Sequence, residues 1–181
     1  MDGYLKLILN REEKMIAIHK NEAHYKGIRF CARAVAKEDD CYNRSMLCLN
    51  ITDTKVEATD GHRLHEYTPE KKNDLPMPGV YKILQNNLRF ISLERDNDPP
   101  SFPNTSVVWP EYEGVSSIPD FGKDISADYS RLIRMLDGNV TFNFEYLADV
   151  EEELDLYFIT SDKPVVLERG CYRALIMPRK M

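Results

Sequence analysis

The chain has no long apolar run: nothing in its 181 residues approaches the roughly 20 consecutive apolar residues that a membrane-spanning helix needs. It also has no CxxC pair. Its four cysteines, Cys31, Cys41, Cys48 and Cys171, lie too far apart for close metal-ligand spacing. Free thiols, buried or half-buried as small hydrophobes, are expected, with no disulfide in a reducing compartment. Nucleophile elbow, phosphate loop and GxGxxG are all missing, so no motif points to catalysis or to a cofactor. Met1-Asp2-Gly3-Tyr4 lacks the basic flank and apolar stretch of a secretion signal, which makes the cytoplasm the default expectation. A net positive charge is lacking too. At −6 the chain is a poor generic nucleic-acid coat.

What is present is an ordinary globular composition, 43% hydrophobic and 30% charged, in a length that suits one full domain or two small ones. The charge is segregated. Residues 1–37 carry eight Lys/Arg against four Asp/Glu, whereas residues 142–162 carry seven acids and no Lys or Arg. Both could be solvated faces, but a concave basic patch on an acidic protein still holds DNA.

Turn chemistry and periodicity divide the chain. Tyr4 to Asn10 and Met15 to His19 read as strands around the turn Arg11-Glu12-Glu13-Lys14. Ala23 to Lys37 reads as a helix, with Tyr25, Ile28, Ala32 and Val35 on one face beside Cys31. Lys26, Arg29, Arg33 and Lys37 stack along the opposite face. Gly27 inside it costs about 1 kcal/mol relative to Ala. An acidic loop, Glu38-Asp39-Asp40, leads to a strand from Met46 to Ile51. Asp60-Gly61 between Lys55–Thr59 and His62–Tyr67 signals a type I′ hairpin, with positive φ at both central positions. Thr68 to Pro78 reads as a connection, Gly79 to Leu84 and Leu88 to Glu94 as strands, and Asp96 to Pro110, with four prolines, as extended or irregular chain. Ser126 is expected to cap a helix through Leu136, stopped by Asp137-Gly138. Asn143 is expected to cap another through Leu154. Three strands follow: Leu156 to Thr160, Val165 to Glu168 and Tyr172 to Met177. A strand–helix–strand–strand–strand order thus occurs twice.

Four pieces of this map resemble the bacterial sliding clamp, the DNA polymerase III beta subunit. They are the helix, acidic loop and strand from Ala23 to Leu47, and the hairpin Ala58-Thr59-Asp60-Gly61-His62-Arg63-Leu64. The others are Phe102-Pro103-Asn104 through Val108-Trp109-Pro110, and the C-terminal run from Phe142-Asn143 to Ala174-Leu175-Ile176-Met177-Pro178. Together they cover about half the chain, in the family's order. The resemblance implies an α+β, DNA-clamp-like fold: βαβββ units with helices packed on one face of antiparallel sheets. Residues 1–110 would correspond to the clamp's middle domain and 111–181 to an abbreviated C-terminal domain. Residues 69–137 either complete both domains or form an insertion in one.

In that family a hydrophobic cleft captures peptides from polymerases, the clamp loader and repair proteins. The residues implied here are Thr59, Gly61, His62, Arg63 and Leu64, with Pro103 and Val108, and Leu175, Met177, Pro178 and Arg179. Met adapts to varied ligands, and apolar walls suit a peptide with two or three hydrophobic anchors. Clamps line their central hole with basic helices. Lys26, Arg29, Arg33 and Lys37 fit that pattern, with Arg131 and Arg134 as an extension.

The departures are specific. The family's protomer is about twice as long, Asn43 stands where the family has an apolar pocket residue, and Arg179 where its tail is apolar. The helix from Phe144 presents acids that repel phosphates. The first expectation is a reduced clamp without a reaction of its own, a homo-oligomer holding double-stranded DNA non-specifically for a DNA polymerase, with a clamp loader as a further partner. The alternative is an adaptor or decoy that binds clamp-interacting peptides without encircling DNA. An enzymatic third reading would gather Asp60, His62, His65 and His24 around zinc, but His62 and His65 stand three apart on a strand and point to opposite faces.

Overall fold

The computed structural model describes residues 15–37, 43–71, 75–136, 140–150 and 152–180. The expected strand from Tyr4 to Asn10, the Arg11–Lys14 turn, the Glu38–Asp40 loop, Cys41 and the Asp137-Gly138 stop lie outside them.

Alternating apolar residues build the strands β1 (Met15–His19), β2 (Cys48–Ile51), β3 (Val56–Thr59), β4 (Arg63–Tyr67), β5 (Gly79–Asn86) and β6 (Phe90–Arg95). After them come β7 (Ser117–Phe121), β8 (Val140–Thr141), β9 (Leu154–Tyr157), β10 (Val165–Arg169), β11 (Tyr172–Ile176) and β12 (Arg179–Lys180). Ten of these form one sheet in the order β1-β6-β5-β2-β3-β4-β11-β10-β9-β7, while β12 and β8 pair separately. Every neighbouring pair is antiparallel. The strands from residues 15–95 fill one side of the sheet and those from 117–176 the other, and the two sets pair where β4 meets β11.

Helices α1 (Tyr25–Ala32), α2 (Ile125–Met135) and α3 (Phe144–Ala148) cover one face. Ile28 and Cys31 of α1, Leu132 of α2 and Leu147 of α3 share a single core with Val56, Ala58, Leu156, Leu167, Ala174 and Ile176. The fold is therefore α+β, with helices on one face of an antiparallel sheet. The strand–helix–strand–strand–strand order occurs twice, as β1-α1-β2-β3-β4 and β8-α3-β9-β10-β11.

Several boundaries differ from expectation, each for a tertiary reason. Helix α1 ends at Ala32 rather than Lys37, because the Ala36 N–H donates to the Met46 carbonyl at 2.9 Å instead of continuing the helix. Met46 sits in a 3₁₀ turn over Arg44–Leu47, capped by Asn43, and the strand begins only at Cys48. Asp124, not Ser126, caps α2, its carboxylate accepting from the Ala127 N–H at 3.2 Å. Asn143 caps α3 as expected. That helix stops at Ala148, because Leu154 and Leu156 point into the core from β9. The Asp-Gly loop is not a two-residue type I′ turn. Thr59 faces Leu64 across the hairpin, and of the two central residues only Gly61 has positive φ, at 85°. The Asp60 carboxylate organises this wider loop by accepting from the His62 and Arg63 N–H groups, each at 2.9 Å. Strands β7, β8 and β12 were not expected. Pro119 sits in β7, which is tolerable because β7 lies at the sheet's edge.

Candidate functional site

On the face opposite the helices, strand alternation sets two parallel rows. The register places Thr59 opposite Leu64, Leu64 opposite Leu175, Leu175 opposite Val166, and Val166 opposite Tyr157. This row is apolar apart from its two ends. The adjacent row, one pleat along, is charged: Glu57, Glu66, Arg173, Glu168 and Asp155. Glu57 and Glu66 face each other as like charges, which is unfavourable unless neutralised. Lys55 neutralises both, at 2.7 Å from each carboxylate. Desolvation works to lower the Lys55 pKa, but its bonds to Glu57 and Glu66 outweigh that and raise it.

The segment 102–112 crosses this face as a strap, and its contacts with Glu57, Arg173, Glu168 and Tyr157 fall on these rows. The Thr105 hydroxyl donates to Glu57 at 2.5 Å. Trp109 lies 4.0 Å from the Arg173 guanidinium in a cation–π contact. The Tyr112 hydroxyl donates to Glu168 at 2.5 Å, and its ring packs 5.0 Å from that of Tyr157. Arg173 also pairs with Glu168 at 3.2 Å and Glu66 at 3.5 Å. The strap carries Pro103 and Val108, both exposed.

The hairpin tip and the tail adjoin the end of the apolar row. The Thr59 hydroxyl donates to the Arg63 carbonyl at 2.7 Å and accepts from the Gly61 N–H at 3.1 Å. The Met177 N–H donates to the His62 carbonyl at 2.8 Å, which fastens the tail beside the hairpin. Gly61 and His62 are exposed, Met177 is 39% exposed, Pro178 is half-buried and Arg179 is exposed. Thr59, Leu64, Leu175 and Met177 are thus brought together, with the strap lying across the adjacent row. Arg63 is not with them. It points to the helix face, bonds Asp60 at 3.0 Å and Asp149, and lies 4.3 Å from the Tyr146 ring. Asn43 is engaged with the Ser45 N–H at 3.0 Å. Sequence reasoning missed Val166 and Tyr157, which extend the row, and Arg173 and Trp109, which hold the strap. Alternation within Val165-Val166-Leu167 was the available signal for Val166. Nothing local marked the others.

On the helix face, Lys26, Lys37, Arg131 and Arg134 are exposed, and Arg29 and Arg33 are half-buried. Arg29 approaches the Tyr25 hydroxyl at 3.5 Å, Arg33 pairs with Asp149 at 3.5 Å, and Arg131 pairs with Asp128 at 3.4 Å. Three of the four residues of the zinc reading are engaged with other partners. His65 is buried with Nδ1 2.8 Å from the Phe30 carbonyl, His24 bonds the Tyr67 hydroxyl at 3.1 Å, and Asp60 is occupied by Arg63. Among the described residues no group of three or more His, Cys, Asp and Glu is arranged to hold a metal, and no helix there is long and apolar enough to cross a membrane.

No protein-family model and no curated protein matches the sequence. Solved structures do. A DNA polymerase sliding clamp from Pseudomonas aeruginosa aligns with a TM-score of 0.55 at 15% identity, over 93% of this chain and 67% of that one. The DNA polymerase III beta subunit from Thermotoga maritima aligns at 0.53 and 13%, over 99% and 69%. The beta sliding clamp from C. crescentus aligns at 0.55 and 14%, over 93% and 66%. The chain therefore has the sliding-clamp fold, and it matches about two thirds of the length of these proteins.

Proposed function

We propose that this clamp-fold chain is a non-catalytic adaptor or decoy, which captures short peptides of the kind that bind sliding clamps, without encircling DNA. Residues 1–110 would act as its middle-domain-like part and 111–181 as its C-terminal-domain-like part. The observation that carries the reading is the apolar row Thr59–Leu64–Leu175–Val166–Tyr157, bordered by the hairpin tip, Met177 and the strap. Four inter-strand steps make it about 19 Å long, enough for about six residues of extended peptide. Two large apolar anchors would contribute about 3–6 kcal/mol before the cost of ordering the peptide. His62, Pro103, Val108, Pro178 and Arg179 would form the rim. Calorimetry of the full chain with an octapeptide carrying a clamp-binding motif is expected to give a micromolar Kd. Met177→Ala, at a half-exposed position, is expected to weaken it at least fivefold. No heat of binding with the wild type would defeat the reading.

A second reading, a homo-oligomeric ring on double-stranded DNA that tethers a polymerase, is favoured by the exposed Lys26, Lys37, Arg131 and Arg134 on the helix face. Such contacts would go to phosphates and carry no sequence information. Against it stand Glu145 of α3, the acids Asp149, Glu152 and Glu153 that follow it, and the pairing of Arg33 with Asp149. Light scattering with and without DNA separates the two: a monomer whose weak DNA binding ignores salt supports the adaptor. If the ring forms, reversing the charge of Lys26 and Arg29 should abolish DNA retention and spare the peptide.

A further inference from the structure

The floor of the apolar row is closed. Leu64 and Leu175 are each 2% exposed and Val166 is 0% exposed, although all three lie on the face that carries no helix. The strap 102–112 crosses that face, with Thr105, Trp109 and Tyr112 fastened to Glu57, Arg173, Glu168 and Tyr157 along and beside the row. Apart from the contact of the Tyr112 and Tyr157 rings, its fastenings are polar or cation–π, and two of its apolar residues face outward: Val107 is 74% and Val108 45% exposed. A segment with no fully buried apolar side chain of its own, held largely by charge-assisted bonds, opens at low free energy relative to a core strand.

We infer that the strap is a latched cover over the slot, with Arg173 as the latch, and that peptide capture proceeds through its displacement. The inference rests on the peptide-capture reading and adds its gating. Arg173 is a positioning residue: it holds Trp109 over the charged row that flanks the slot and has no contact with the peptide. The outward Val107 and Val108 are then the apolar side chains that the lifted strap can turn onto a seated peptide.

Trp109 is the chain's one tryptophan, so its fluorescence reports the strap alone. The test uses the full chain and two variants that release opposite ends of the strap, Arg173→Met and Thr105→Val, with Arg173→Lys as the conservative rescue. Acrylamide quenching of Trp109 should rise at least twofold in Arg173→Met and return toward wild type in Arg173→Lys. Association of the octapeptide, followed by stopped flow, should be about tenfold faster in Arg173→Met and also faster in Thr105→Val. Raising the salt should speed the wild type towards the Arg173→Met rate and leave that variant unchanged. Unaltered quenching and association in both releasing variants, with native circular dichroism, would overturn the latch. A rise in quenching with no peptide bound by any of the proteins would uphold the latch and sink peptide capture alone.

Discussion

Gly27 looks like a flaw in α1 when read as sequence, since a mid-helix glycine weakens the helix. The structure supplies its reason. A Cβ built there would lie 2.3 Å from the ring of Tyr67, a β4 residue that closes over the helix. Gly27→Ala should therefore destabilise by about 1–3 kcal/mol through overpacking, despite its better helix propensity, and urea unfolding would check the sign. His65 behaves comparably. Full burial lowers its pKa from 6.5 to about 4, against the Phe30 carbonyl bond that raises it, with Arg63 adding to the depression and Asp149 opposing it. Between those two values the unfolded chain binds the extra proton, so stability rises with pH. It is fully present above pH 6.5 and is lost as pH falls towards 4, by about 3 kcal/mol. Urea midpoints measured from pH 7 to 4.5 should fall steeply in the wild type and less in His65→Gln.

Element identities were largely legible, and element ends were not. Asn143 capped its helix as its side chain suggests, whereas Asp124 took the role expected of Ser126, two positions later. Either residue can accept from the first free N–H groups. The choice depended on where β7 released the chain. Asp124→Ala should cost about 1 kcal/mol, seen as a lower midpoint in denaturant, while Ser126→Ala should be near neutral. The Asp-Gly hairpin was legible as a hairpin, but its turn type was not, because Asp60 bonds two N–H groups and Arg63 at once. Pro119 hid β7, since a proline is admissible at a sheet edge and edges are not visible in a linear pattern.

Across the whole molecule, the two sides of the sheet join through the β4–β11 pairing and through Asp149, which bonds Arg63 of β4 and Arg33 beyond α1. Arg63 is 9% exposed and would keep Asp60 if Asp149 were lost. Asp149→Ala should thus cost about 2 kcal/mol, less than the 3–5 kcal/mol of breaking a fully buried pair. The denaturant midpoint should drop with an unchanged slope, provided the molecule still unfolds as one unit. A second transition would show that Asp149 couples two separately stable halves.

The sequence by itself determined the one-sided amphipathic helices, the strand alternation and the hairpin's place, because these are set by residues within a few positions of one another. Leu64 and Leu175 were also legible as apolar residues. That they share a row with Val166, that Arg63 turns away from it, and that Trp109 rests on Arg173 were decided only by tertiary structure. Each depends on the register between strands distant in the chain, and a shift of one residue in that register would send every one of these side chains to the other face.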